Sequence, residues 1–276
     1  MEKEKEQIKP FLRWAGGKRW LIKHIKPYLP QNYNNYHEPF LGGASIFFFL
    51  NPKNNSFLSD TNEELINTYL QLRDHPYDII EELSKMKNTA REYYAVRERE
   101  YKTKMQKAVR FIYLNRTCFN GIYRVNKDGK FNVPYGHLNY TIGEENLLKI
   151  STVLERAEIF VGDFEASLMN INENDLIFLD PPYTVAHQKN GFIAYNKKLF
   201  NWTDQVRLSK IIETIINKRA KFILTNSAHY SIHNLYSHLG SESTIKRVTT
   251  VSGHTTSRHK IEEYLYTNCE VLENGK

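Results

Sequence analysis

Asp180-Pro181-Pro182-Tyr183 follows directly on the apolar run Leu176-Ile177-Phe178-Leu179, so an acid, two prolines and an aromatic ring stand where a buried strand must end. Proline offers a carbonyl but no N–H. The Asp180 side chain and the Pro181 carbonyl can therefore both accept from one exocyclic amino group, while the Tyr183 ring stacks on the heterocycle that carries it. Such a set holds a weak nitrogen nucleophile for transfer of a group from a bound donor and needs no metal. The paired prolines stiffen the loop that presents it.

Two glycine-rich segments offer places for the donor. Trp14-Ala15-Gly16-Gly17-Lys18 permits close backbone approach and brings a cation, but it lacks the first glycine and the Ser or Thr of a P-loop, and a structural turn fits it equally well. Phe40-Leu41-Gly42-Gly43-Ala44 follows the first predicted strand, and Asp60 ends the next. At the carboxyl ends of parallel strands a glycine turn with such an acid favours a nucleoside-containing cofactor, the acid accepting from ribose hydroxyls. The GxGxxG spacing is absent, which disfavours a dinucleotide. Gly162-Asp163-Phe164 sets an acceptor beside a ring, suited to an adenine amino group and face, although a turn or helix-capping aspartate is the plainer reading. His229, His233 and His238 lack an HExxH pattern, so no metal site is expected. His254 and His259, near Arg258 and Lys260, suit the surface or a nucleic-acid backbone.

The elements that must position these residues alternate. Helix 20–28, strand 36–40, helix 46–50, strand 56–59 and helix 62–72 are joined by short connections, as in a parallel sheet. Helical periodicity over 77–86 and 105–114 then marks an insertion. Residues 115–140 are rich in turn formers, with Lys127-Asp128-Gly129-Lys130 a tight turn between two extended pieces, and mix basic with aromatic side chains. A loop of that length and character is more often functional than idle. Alternation resumes with helix 144–157, strands 158–161 and 175–179, a long loop to 201, helix 203–217 capped by Thr203, strand 221–225, helix 232–239 and strands 244–251 and 263–268.

The 276 residues carry a formal net charge of +7, with 18 Tyr and 15 Phe, which favours a polyanionic partner and provides rings for base stacking. Two cysteines without a CxxC pair exclude a disulfide framework. No run is long enough to span a bilayer, and MEKEKEQIK resembles a solvated tail rather than a secretion signal, so a cytoplasmic protein is expected.

Taken in order, FLRWAGGK, EPFLGGASIFF, LSDTNEELIN, YLNRTCFNGIYRVNKDGKFNVPYG, VGDF, FLDPPY, DQVRL and RHKIEEYLYTN resemble the adenine-N6 DNA methyltransferases of the Dam type, the D12 class that includes modification enzymes of DpnII systems. The resemblance covers nearly the whole chain. It implies a Rossmann-like, mostly parallel α/β methyltransferase domain with an inserted helical and β-hairpin DNA-recognition module. The expected division is a flexible tail 1–9, a catalytic domain 10–72 and 141–276 that binds S-adenosylmethionine, and an insert 73–140. It further implies that Trp14, Ala15, Gly17 and Lys18 line the methionine side and that Phe40, Gly42, Gly43 and Ala44 approach the cofactor. Asp60 takes the ribose hydroxyls, and Asp163 and Phe164 meet the adenine. Asp180, Pro181, Pro182 and Tyr183 form the catalytic motif that receives a flipped target adenine, Asp180 also facing the cofactor. Arg116, Asn120, Arg124, Asn126, Asn132 and Tyr135 are expected to contact DNA, with Lys127 and Lys130 at phosphates.

In this family the adenine nitrogen attacks the sulfonium methyl directly. The implied partners are double-stranded DNA and a cognate restriction endonuclease acting on the same site, with no metal, no membrane and a monomeric enzyme. GATC is the family's frequent target. The segments 184–200 and 252–260 depart from the usual family form, and Thr225 stands where many relatives have serine. Competing readings are an RNA-adenine or protein-amide N-methyltransferase and a DNA-binding protein without catalysis. Intact Asp180, Gly42 and Gly43 argue against the last.

Overall fold

The computed structural model describes residues 8–137, 143–184, 200–250 and 258–271, with the side chains of all but 247–250 and 258–260. The charged start of the tail, most of the long loop after Tyr183, and His254 lie outside the described residues, as does the side chain of His259.

Seven strands form one mostly parallel sheet in the order β3-β2-β1-β4-β5-β7-β6. They are β1 (Tyr36–Glu38), β2 (Ser56–Asp60), β3 (Ala157–Val161), β4 (Leu176–Leu179), β5 (Lys221–Ser227), β6 (Ser241–Thr250) and β7 (Arg258–Thr267). The helices are α1 (Ile22–Ile25), α2 (Ser45–Leu50), α3 (Glu63–Asp74), α4 (Pro76–Lys85), α5 (Ala90–Glu98), α6 (Lys104–Thr117), α7 (Glu144–Leu154), α8 (Phe164–Ser167), α9 (Trp202–Asn217) and α10 (Tyr230–Tyr236). The expected α/β class and mostly parallel sheet are found. The chain packs as two compact units, Met1–Ile22 with Leu41–Gly162 and Lys23–Phe40 with Asp163–Lys276.

In the first unit β2 and β3 run parallel, Ser56 opposite Ala157 and Asp60 opposite Val161. Asn62 caps α3, its side chain accepting from the Leu65 N–H at 3.0 Å, and so fixes the turn after Asp60. The segment 73–140 lies wholly within this unit. A helix that periodicity did not reveal, α5, starts at Thr89, whose hydroxyl accepts from the Glu92 N–H. Thr103 and Gln106 form a reciprocal capping box at the start of α6. Tyr93, Val96, Tyr113, Leu114, Cys118, Phe131 and Val133 make a small core beneath the hairpin. Lys9, in the segment expected to be a tail, is held through its backbone by both side-chain amide atoms of Asn146.

In the second unit β4 is parallel to β1 and β5, while β7 runs antiparallel to β5 and β6. Every residue of β4 is buried, which is why it reads as an unbroken apolar run. Strand β1 stops at Glu38, before Pro39, instead of reaching Phe40. Asn201 caps α9 in place of Thr203: its side chain accepts from the N–H groups of Thr203 and Asp204, and Asp204 returns a bond to the Asn201 N–H. A serine or threonine preference alone missed this because asparagine forms the same box.

Candidate active site

Within the first unit the glycine turn at Gly42 is hydrogen-bonded to Asp60. Asp60 Oδ2 accepts from the Gly42 N–H and Oδ1 from the Asn62 N–H, each at 3.0 Å. Burial pushes its carboxyl above the ordinary carboxylate range, against the lowering effect of the N–H groups of Asn62, Gly42 and Thr61. A carboxylate has about four acceptor sites, so these backbone bonds are compatible with a ribose hydroxyl as a further donor. Gly42 has φ +46°, and a Cβ there would lie 2.7 Å from Trp14 Cδ1. Only a bare Cα permits this approach of turn and indole. The buried Tyr69 hydroxyl donates to the Gly42 carbonyl at 2.9 Å. Ala44, also left-handed at φ 52°, precedes α2.

Trp14 is half-buried and stacks on Tyr123, 5.4 Å between ring centroids, with Phe111 at 6.3 Å. Gly17 closes a turn onto the Trp14 carbonyl at 3.0 Å, leaving Ala15, Gly16 and Gly17 exposed, while Lys18 is buried. Asn115 clamps the preceding residue, accepting from the Arg13 N–H and donating to the Arg13 carbonyl at 2.8 and 2.7 Å.

The hairpin residues separate by duty. Arg124, Lys127, Lys130 and Asn132 lie at the surface, while alternate residues Phe131 and Val133 face the small core. Arg124 Nε donates to Asn132 Oδ1 at 2.8 Å, linking the two extended pieces. Asn126 builds the turn, its Oδ1 accepting from the N–H groups of Asp128 and Lys130, with Gly129 at φ +74°. The Tyr135 hydroxyl donates to the backbone carbonyl of Asn88 and meets its side-chain oxygen. Arg116 is half-buried and donates to the Phe11 carbonyl; burial and then Arg13 lower its pKa. Asn120 is exposed with φ 55°, beside the exposed Phe119. Five of the eight expected DNA contacts, Asn120, Arg124, Lys127, Lys130 and Asn132, thus present side chains at the surface with no duty in forming the turn or the core. Asn126, Tyr135 and Arg116 serve the fold in this geometry.

Within the second unit Asp180 follows the last residue of β4. Leu179 pairs with Leu224, and the next residue of β5, the buried Thr225, donates its hydroxyl to Asp180 Oδ1 at 2.8 Å. Tyr183 donates its hydroxyl to Glu263 Oε2 at 2.6 Å. Glu263 is buried on β7, opposite Ser227 at the carboxyl end of β5. Behind the loop, the buried Thr184 meets Gln205 Nε2 at 3.3 Å, and Gln205 Oε1 accepts from Asn226 at 3.1 Å and from Tyr236 at 2.6 Å. Both ends of the Asp-Pro-Pro-Tyr motif are therefore tied to neighbouring elements by polar side chains. Sequence reasoning assigned no role to Glu263 or Gln205 and noted Thr225 only as a departure; their motifs, LTNS, EEYLYTN and DQVRL, were the signal at hand.

Asp163 caps α8, accepting from the Glu165 N–H at 3.0 Å, and Phe164 is buried with its ring stacked on Phe40 at 5.5 Å. Phe200 packs edge-on against Phe40. The Arg207 guanidinium lies over the Phe164 ring, 4.9 Å from its centroid. Phe164 is thus enclosed by Phe40 and Arg207, so its ring is not an open stacking face. Among the described residues no group of three His, Cys, Asp or Glu side chains is placed to hold a metal ion, and no helix is long and apolar enough to cross a membrane.

The fold class is α/β with a mostly parallel sheet, in which Asp60 ends β2 and Asp180 follows β4. The family is narrower: residues 14–252 match the model of the D12 class N6 adenine-specific DNA methyltransferases, and the chain belongs to that family. It is 35% identical over 280 residues to the Type II methyltransferase M1.LlaDCHI of Lactococcus lactis subsp. cremoris, covering 97% of this chain and 98% of that one. It is 36% identical over 245 residues to the Type II methyltransferase M.MjaIII of Methanocaldococcus jannaschii, covering 80% and 85%. Against the DNA adenine methylase of Salmonella typhi it is 31% identical over 264 residues, covering 92% and 93%.

Proposed function

We propose that the protein transfers a methyl group from S-adenosylmethionine to the N6 of an adenine turned out of duplex DNA, with GATC the first sequence to test. The observation that carries this reading is the double anchoring of the motif, Asp180 by Thr225 and Tyr183 by Glu263. In the first unit the residues suit the donor: Asp60 supplies acceptors for ribose hydroxyls, and the bare Gly42 lets its turn pack against Trp14. Asp163 takes the cofactor's adenine amino group. When bound, S-adenosylmethionine supplies an electrophilic methyl group on a positively charged sulfur.

Asp180 and the Pro181 carbonyl accept the two N–H bonds of the target amino group and so aim its lone pair. As the N–C bond forms, the S–C bond of the sulfonium breaks and S-adenosylhomocysteine is released. The nitrogen becomes positive, the Asp180 carboxylate stabilises that charge, and the nitrogen then gives up one proton to solvent. The amine needs no prior deprotonation, because its proton becomes acidic only as the bond forms. Tyr183 stacks on the extruded base, offsetting part of an unstacking cost of about a few kcal/mol. Arg124 and Asn132 are suited to base edges, Lys127 and Lys130 to phosphates.

The reading extends to a monomer acting on DNA in the cytoplasm beside a restriction endonuclease of the same site, a pairing supported by the names of its Type II relatives. Labelled S-adenosylmethionine with mixed-sequence duplex DNA should yield N6-methyladenine, and sequencing of modified bases in DNA from expressing cells should give the target. Cofactor binding without transfer to duplex DNA, or preferential transfer to RNA or protein, would overturn it.

A further inference from the structure

Arg207, on α9, is the centre of an ion cluster to which the chemistry above gives no role. Its Nη2 donates to Asp163 Oδ1 at 2.8 Å, its Nη1 to Asp204 Oδ1 at 2.9 Å and its Nε to Glu165 Oε2 at 3.0 Å. The guanidinium lies on the ring of Phe164, so its plane is fixed as well as its charge. Asp163 Oδ1 also accepts from the Glu165 N–H. One oxygen of Asp163 is thereby committed twice, whereas Oδ2 meets no protein donor among the described residues. The side chain is 46% exposed, so a ligand can reach it.

We propose that Arg207 is a positioning residue for cofactor selectivity: it holds Asp163 so that Oδ2 faces the 6-amino group of the cofactor's adenine. This rests on the reading that Asp163 receives that amino group. Without Arg207 three carboxylates share the locality with no cation among them, and repulsion from Glu165 and Asp204 turns Asp163 away from the one orientation that accepts from the ligand. The hydrogen bonds to three acids also raise the guanidinium's pKa, Glu165 contributing most, so the clamp stays charged throughout the working pH range.

The test compares equilibrium binding of S-adenosylhomocysteine and S-inosylhomocysteine, in which an oxygen acceptor replaces the amino donor, to the full-length protein. The parent should prefer the adenosyl ligand by about tenfold, the worth of one hydrogen bond to a charged acceptor. Arg207→Ala should bring the preference to within about twofold, and Arg207→Lys, which keeps the charge but not the planar fork, should fall between. Both affinities are read on one preparation, so loss of folded protein cancels in the ratio. An unchanged ratio in Arg207→Ala, or in Arg207→Lys where the alanine variant does not fold, would overturn the proposal provided Asp163→Ala abolishes the preference. A parent-like ratio in Asp163→Ala would instead show that the amino group is received elsewhere, and the underlying reading would fall.

Discussion

Thr225→Val separates the chemistry of Asp180 from its mere presence. Thr225 is buried in β5 and donates to Asp180 Oδ1 at 2.8 Å. Valine fills nearly the same volume and stays β-branched in a central strand, but it has no donor. A hydrogen bond to a charged group contributes about 1.5–3 kcal/mol. If that bond fixes the carboxylate that aims the target amino group, its loss should slow transfer by roughly 10- to 150-fold. The assay is single-turnover transfer of a labelled methyl group into a duplex oligonucleotide, with cofactor and DNA saturating. Thr225→Ser keeps the hydroxyl and should stay within roughly threefold of the parent, a cost of added rotamer freedom. The valine variant should also melt lower, since loss of one hydrogen bond at the half-buried Asp180 costs about 1 kcal/mol, or roughly 2–4 °C for a chain of this size. Parent-like turnover in Thr225→Val, or equal losses in the valine and serine variants, would refute the reasoning.

Tyr183→Phe keeps the ring but removes its bond to Glu263, and should lower kcat/KM by about tenfold while reducing 2-aminopurine fluorescence of an extruded base; parent-like values would mean that Glu263 does not set the ring's place. Gly42→Ala drives a Cβ against Trp14 at a left-handed φ, so affinity for S-adenosylhomocysteine should fall by at least tenfold, about 1.4 kcal/mol or more. Calorimetry giving the parent affinity would show that Trp14 yields. Because burial raises the Asp60 pKa, cofactor affinity should weaken as pH falls through a value above the ordinary aspartate range, and Asp60→Asn should flatten that dependence. The sign for folding is opposite: ionised Asp60 is a cost to the folded state above its folded pKa, relieved as pH falls.

How far local pattern reaches is visible in particular residues. The end of β4 was legible because a run buried on both faces is largely apolar, and an acid and prolines then stop it. The turn at 126–130 was legible because Gly129 needs a left-handed φ and Asn126 accepts from its own turn. The helix α5 was not, since polar and exposed residues occupy most of its nine positions and only Tyr93 and Val96 are buried. Asn126 and Tyr135, which the family resemblance places at DNA, also build the turn and anchor the loop, a duty that residue type alone does not reveal.

By itself the sequence determined the kinds of chemical group and their order along the chain: the glycine turns, Asp60, Asp163 and Asp-Pro-Pro-Tyr. Those are local matters of strand ending, backbone freedom and missing N–H groups. Only tertiary structure decided what holds each group still. Thr225 lies 45 residues from Asp180, Glu263 lies 80 from Tyr183 and Arg207 lies 44 from Asp163. For Thr225 and Glu263 the choice is made by strand order and register, since a slip of one residue turns every side chain of a strand to the other face. For Arg207 it is made by the docking of α9 against α8. None of these three pairings is written in any short stretch of the chain.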